Sequence, residues 1–104
     1  MVKAVYDGAY GFTVSGHAGQ APIGQDLVCA ATSTLIMALV EDMAQNDDKL
    51  IARKSSVQSG CVYLKVIPSA DYKEACEGAF SVVRNGFKLL SQQYSKYISY
   101  EECI

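Results

Sequence analysis

Apolar and polar positions change period several times along the chain, and each change marks an element. Residues 2–7 (Val-Lys-Ala-Val-Tyr-Asp) read as a strand with imperfect alternation. Asp7-Gly8 and Gly11 bracket a turn; Phe12, Thr13, Val14 and Ser15 then alternate, so residues 11–17 read as the second arm of a hairpin. Residues 18–24 hold two glycines and a proline and read as an irregular loop. From about Gln25 to Gln45 the period becomes helical. Val28, Ala31, Leu35, Leu39 and Met43 share one face, which Ile36 and Val40 widen. Asp26 near the start and Gln45-Asn46-Asp47-Asp48 after the end mark its limits. Residues 50–59 and 61–67 flank a turn at Ser59-Gly60, and Val62, Leu64 and Val66 alternate with Tyr63, Lys65 and Ile67 until Pro68 stops the run. Ser69 reads as an N-cap, with Asp71 and Glu74 at the positive end of a helix over roughly residues 70–93. Cys76, Phe80, Val83, Phe87 and Leu90 form its apolar face. Gly78 and Gly86 interrupt it, each costing about 1 kcal/mol relative to alanine. Such a pair signals either a close approach to another element or a tolerated weakness. Tyr97-Ile98-Ser99-Tyr100 closes the chain as a short strand. The order ββαββαβ predicts an α+β fold, a mostly antiparallel sheet packed with two main helices.

Composition narrows the class. The chain has 104 residues, half of them apolar and 19% charged, which suits a single domain over residues 1–104 with a real core. A net charge of −2 and an isoelectric point near 5.2 argue against direct nucleic-acid binding. The longest apolar stretch, Leu27 to Val40, is broken by Thr32, Ser33 and Thr34 and falls short of the roughly 20 residues a bilayer needs, so no membrane span is expected. The first residues, Met-Val-Lys-Ala-Val-Tyr-Asp, lack the apolar run of a signal peptide, and a cytoplasmic setting is expected.

The four cysteines, Cys29, Cys61, Cys76 and Cys103, contain no Cys-x-x-Cys pair, and His17 is the sole histidine. That spacing argues against a zinc site, and no metal or cofactor is expected. In a reducing compartment a disulfide framework is not expected either, so most of these thiols read as small apolar core residues. Cys29 differs. It falls in the first turn of a helix, 12 residues after a histidine at a strand end, with a glycine-containing loop between them. Unpaired N–H groups and the partial positive charge of a helix start favour a thiolate, and a neighbouring imidazolium favours it further. The imidazole can return its proton to a leaving amine, and helical N–H groups can stabilise an oxyanion. Asp26 and Ser33 lie three before and four after Cys29, on the same helix face. Asp26 either orients His17 or serves as a first-turn acid favouring the helix dipole. Ser33 is either a site-supporting hydroxyl or an ordinary helix residue. Gly19 and Gly24 would be the hinges of a substrate loop that closes over the pair.

Gly16-His17-Ala18, a short loop, then Gly24-Gln25-Asp26-Leu27-Val28-Cys29-Ala30-Ala31-Thr32-Ser33 resembles the signature of the ribosomal-processing cysteine protease family, Prp. The resemblance is motif-level over residues 16–33; Leu27 stands where isoleucine is more usual. It implies a cysteine endopeptidase with His17 as general base and acid and Cys29 as nucleophile. Asp26 and Ser33 become site-supporting residues. The implied substrate is the N-terminal extension of a large-subunit ribosomal protein, cut at an aromatic-containing motif. The resemblance further implies a homodimer in the bacterial cytoplasm. Two other classes compete on the residues alone: a non-enzymatic, ribosome-associated peptide-binding module, and a thiol redox sensor centred on Cys29.

Overall fold

The computed structural model describes residues 1–17 and 26–103. In chain order the elements are β1 (Val2–Tyr6), β2 (Gly11–Ser15), α1 (Leu27–Gln45), β3 (Leu50–Gln58), β4 (Cys61–Pro68), α2 (Lys73–Gln93) and β5 (Ile98–Glu102), with single 3-10 turns at Asp47–Lys49 and Ala70–Tyr72. The expected order ββαββαβ and α+β class are what the chain adopts. One five-stranded sheet runs β3-β4-β2-β1-β5. The pairings β3–β4, β4–β2 and β2–β1 are antiparallel, while β5 lies parallel to β1, with Val2 opposite Ile98 and Tyr6 opposite Glu102.

Strand alternation sends one set of side chains to the helices. Val2, Ala4 and Tyr6 of β1, Phe12 and Val14 of β2, Leu64 and Val66 of β4 and Ile98 of β5 are buried against Val28, Ile36, Leu39 and Met43 of α1 and Cys76, Phe80, Val83 and Phe87 of α2. Phe12 is central: its ring centroid is 5.9 Å from Phe80, stacked, and 5.6 Å from Phe87. Such rings add contact energy beyond the apolar area they bury, and truncating one to alanine costs about 3–5 kcal/mol.

The inner face of α1 is rotated from the expected one. Thr32 and Ile36 are buried, while Ala31 and Leu35 sit at the flank. Thr32 is tolerated inside because its hydroxyl donates to the Cys29 carbonyl at 3.1 Å. The helix also runs on beyond Val40 to Gln45, so it is long and apolar enough to cross a membrane by length and composition. This corrects the reading of the segment as too short. Its buried residues belong to the core shared with α2 and the sheet. Ser69 likewise differs from expectation. It precedes a 3-10 turn and makes no capping hydrogen bond through its side chain, and α2 begins four residues later, at Lys73.

The two helical glycines separate by environment. A Cβ on Gly86 would stand 2.8 Å from Leu35 Cδ2, so this glycine lets α2 approach α1 closely; at Gly78 nothing lies within 4 Å. The far sheet edge is tied to α2 by charge. Arg84 donates to both oxygens of Glu102 at 3.0 and 3.1 Å, Tyr100 donates to Glu102 Oε1 at 2.7 Å, and the guanidinium lies 4.6 Å from the Tyr6 ring centre. These bonds, first those from Arg84 and then that from Tyr100, hold the Glu102 carboxyl down at about 2.

Candidate active site

Two glycines set the histidine. β2 gives way at Gly16, just past its last residue, where a φ of +90° breaks the strand alternation and a side chain would collide with the Met1 carbonyl oxygen. The Gly16 N–H donates to the Gly60 carbonyl at 2.8 Å, which pins this strand end to the β3–β4 turn. Gly60 itself has a φ of +77°, and a Cβ on it would stand 3.0 Å from His17 Nε2. The imidazole therefore lies against the tip of the β3–β4 hairpin. His17 is exposed.

An N-cap sets the cysteine. Asp26 has an extended backbone (φ −83°, ψ 104°), and its Oδ1 accepts the Cys29 N–H at 3.0 Å while its carbonyl accepts the Ala30 N–H at 3.0 Å. That is the geometry of an aspartate cap, which satisfies an amide the helix leaves orphaned. Asp26 thus stands at the helix start, as the N-cap of α1. The Cys29 amide donates to this carboxylate, so it is engaged rather than held ready for an oxyanion. Asp26 is 8% exposed, and a cap this well enclosed fixes the first turn that carries Cys29.

His17 and Cys29 open onto one cleft of about 320 Å³. Its walls are the Cys29–Ser33–Met37 face of α1 on one side and the β3–β4 tip, Val57 to Val62, on the other. Val2, Val14 and Ile36 supply an apolar floor. Ser33 is exposed and lines the wall one turn beyond Cys29. Gly19 and Gly24 lie outside the described residues. Sequence reasoning missed the hairpin tip: Ser59-Gly60 reads as a turn, and nothing in its composition points to the histidine 43 positions earlier. It also missed Thr32, a wall residue whose hydroxyl is spent on the Cys29 carbonyl.

The other thiols sit in different surroundings. Cys76 is buried in the core, and burial, with Glu77 and Asp42 nearby, pushes its thiol up to about 11. Cys103 is exposed at the last strand. Cys61 is exposed at the cleft rim, at the start of β4 and opposite Ser15. By strand alternation it shares the sheet face of Tyr63 and Lys65 rather than that of Val62 and Leu64, which face the helices.

A thiol in the first turn of a helix and an imidazole on the same cleft make up the functional groups of thiol-dependent acyl transfer, the class to which cysteine proteases belong. The chain belongs to the cysteine protease Prp family, whose family model matches residues 1–99. It is, accordingly, a cysteine protease by family. Among solved structures it is similar to the essential ribosomal processing protease Prp from S. aureus in complex with a covalently linked product peptide. The two share 14% identity and a TM-score of 0.73, with 97% of this chain and 96% of that one covered. The same S. aureus protease with a substrate peptide superposes with a TM-score of 0.64 at 12% identity, over 97% and 96% of the two chains. SMU.848 from Streptococcus mutans shares 25% identity over 98% of this chain and 93% of its own, with a TM-score of 0.72. The S. aureus likeness is one of fold. No curated protein sequence matches the chain.

Proposed function

We propose that this chain is a cysteine endopeptidase that removes the N-terminal extension of a large-subunit ribosomal protein, with Cys29 as nucleophile and His17 as general base and acid. The observation that carries this reading is the shared cleft, with Cys29 in the capped first turn of α1 and His17 held against Gly60. His17 takes the thiol proton as Cys29 Sγ attacks the scissile carbonyl and forms an S–C bond. The C–N bond then breaks, and the imidazolium of His17 gives its proton to the departing amine. Water next adds to the thioester while His17 takes its proton; the S–C bond breaks, and the acid product leaves with the thiol restored. Asp26 is a positioning residue acting through the helix start, and Ser33 adds a hydroxyl to the cleft wall. The apolar floor suits a substrate with an apolar or aromatic side chain near the cut. The ribosomal substrate is supported by the family and by the processing activity named for the S. aureus protein. A homodimer in the bacterial cytoplasm completes the reading.

The test is incubation of the purified chain with a synthetic peptide spanning the extension, followed by mass spectrometry. Wild type should cut at one position, and Cys29→Ala and His17→Ala should not, while both keep the fold. Undiminished cutting by Cys29→Ala would refute the nucleophile. Binding without cutting by the wild type would favour a peptide-binding module instead, and light scattering at micromolar concentration reads the oligomeric state.

A further inference from the structure

β3 forms an edge of the sheet, nine residues long, and every residue from Ile51 onward is exposed. A strand this long and open is an invitation to pairing, which proteins ordinarily blunt with charge. Here the blunting is uneven. Arg53, paired with Asp47 at 2.9 Å, and Lys54 guard the half remote from the cleft. The four residues running into it, Ser55-Ser56-Val57-Gln58, carry no charge. Val57 is 52% exposed and, with Gln58, forms part of the cleft wall facing Cys29.

We infer that this uncharged stretch of β3 binds the substrate polypeptide main chain as a sixth strand, feeding the scissile bond into the cleft. The inference rests on the protease reading above. Hairpin geometry says which groups are available. Gln58 and Cys61 close a two-residue turn and pair directly, followed by Val57 with Val62, Ser56 with Tyr63 and Ser55 with Leu64. In an antiparallel ladder hydrogen-bonded and non-bonded pairs alternate, and a closing pair of this kind exchanges its bonds. Gln58 and Ser56 thus spend their N–H and C=O on β4. Ser55 and Val57 direct theirs to the outer edge, where no strand of the described residues pairs, and their side chains share the sheet face of Leu64 and Val62. An extended peptide bonded to those two residues gains affinity through its main chain, whatever its sequence. Side chains on alternate positions are then left to read the apolar floor. The substrate class follows: an unstructured segment able to adopt an extended form, without proline or N-substitution at the bonded positions.

The test uses ¹⁵N-labelled Cys29→Ala protein and the same synthetic extension peptide, with wild-type cleavage of that peptide assayed in parallel. Amide exchange at Ser55 and Val57 should slow about tenfold or more on peptide addition, while Ser56 and Gln58 change little. In the wild-type background Ser55→Pro removes an outward N–H and leaves the β4 ladder intact; it should raise KM about tenfold with kcat held, a loss of roughly 1.4 kcal/mol in binding. Cleavage with unchanged exchange at both amides would overturn the sixth strand and leave the protease standing. Protection of both amides before peptide is added, as when another copy occupies the edge, would overturn it too. Failure of the wild type to cut would overturn the protease reading and this inference with it.

Discussion

Replacing Glu102 with glutamine keeps the shape of the side chain and removes the charge on which the α2–β5 clasp depends. The carboxylate accepts two bonds from Arg84 and one from Tyr100, with Lys88 Nζ at 3.4 Å. It sits near 2 where a carboxyl ordinarily sits at 4.5. At about 1.36 kcal/mol per pH unit the full difference corresponds to about 3.4 kcal/mol. The side chains of Glu102 and Arg84 are still 15% and 20% exposed, so water screens part of it. We expect Glu102→Gln to cost about 2–3 kcal/mol at pH 7, which in a domain of this size lowers Tm by roughly 10–20 °C. The pH dependence carries the sign. A folded value below the unfolded one gives stability that is complete above the unfolded value and is lost as pH falls through the folded one. The gap between wild type and variant should therefore be level above about pH 5.5, shrink below the ordinary 4.5, and close near pH 2. Urea denaturation at a series of pH values measures it, with Glu101→Gln, an exposed neighbour, as the control expected within about 0.5 kcal/mol of wild type. A gap that stays constant from pH 7 to pH 3 would show that the loss is one of packing, and the electrostatic account of the clasp would fall.

Gly78→Ala should stabilise by about 1 kcal/mol in thermal denaturation, because the site is open and only helix propensity changes. Gly86→Ala should lose that gain and be neutral to about 2 kcal/mol destabilising, since its Cβ must displace Leu35; combining it with Leu35→Ala should relieve the clash. Asp26→Ala should cost about 1 kcal/mol by chemical denaturation while Asp26→Asn stays within about 0.5 kcal/mol, because asparagine caps as well as aspartate. In native alkylation followed by peptide mapping, Cys76 should be the last thiol modified, buried as it is with its thiol near 11; labelling as fast as that of Cys103 would contradict its burial.

Much of this architecture is written in local periodicity. The hairpins, the two helices and the buried face of α2 follow from spacing alone, since each is decided by neighbours within a few residues. The parallel docking of β5 on β1 does not follow, because strand period says nothing about which strand will be the partner. The rotation of α1 was hidden for a similar reason: Thr32 counts as polar until its hydroxyl is seen to bond the carbonyl one turn back. His17 and Cys29 were legible as a motif with a loop between them. The surface that completes their cleft was not, because Gly60 meets the imidazole through a fold contact. Asp26 was legible as a helix-start acid, but which amide it holds depends on its extended backbone, which aims the carboxylate at the Cys29 N–H.

The pairing of β1 with β5 joins residues separated by almost the whole chain, Val2 with Ile98 and Tyr6 with Glu102. On a ribosome the first strand emerges long before its partner, with two helices and a hairpin made in between, so the ladder between them cannot nucleate early. Until then β1 exposes an unpaired edge of its own, and β1 supplies Val2 to the cleft floor and follows directly on Met1, against whose carbonyl Gly16 turns. Topology thus orders assembly: β1 completes its pairing only after both helices and the second hairpin have been made, and the cleft floor to which it gives Val2 is not fixed on both sides before β5 docks.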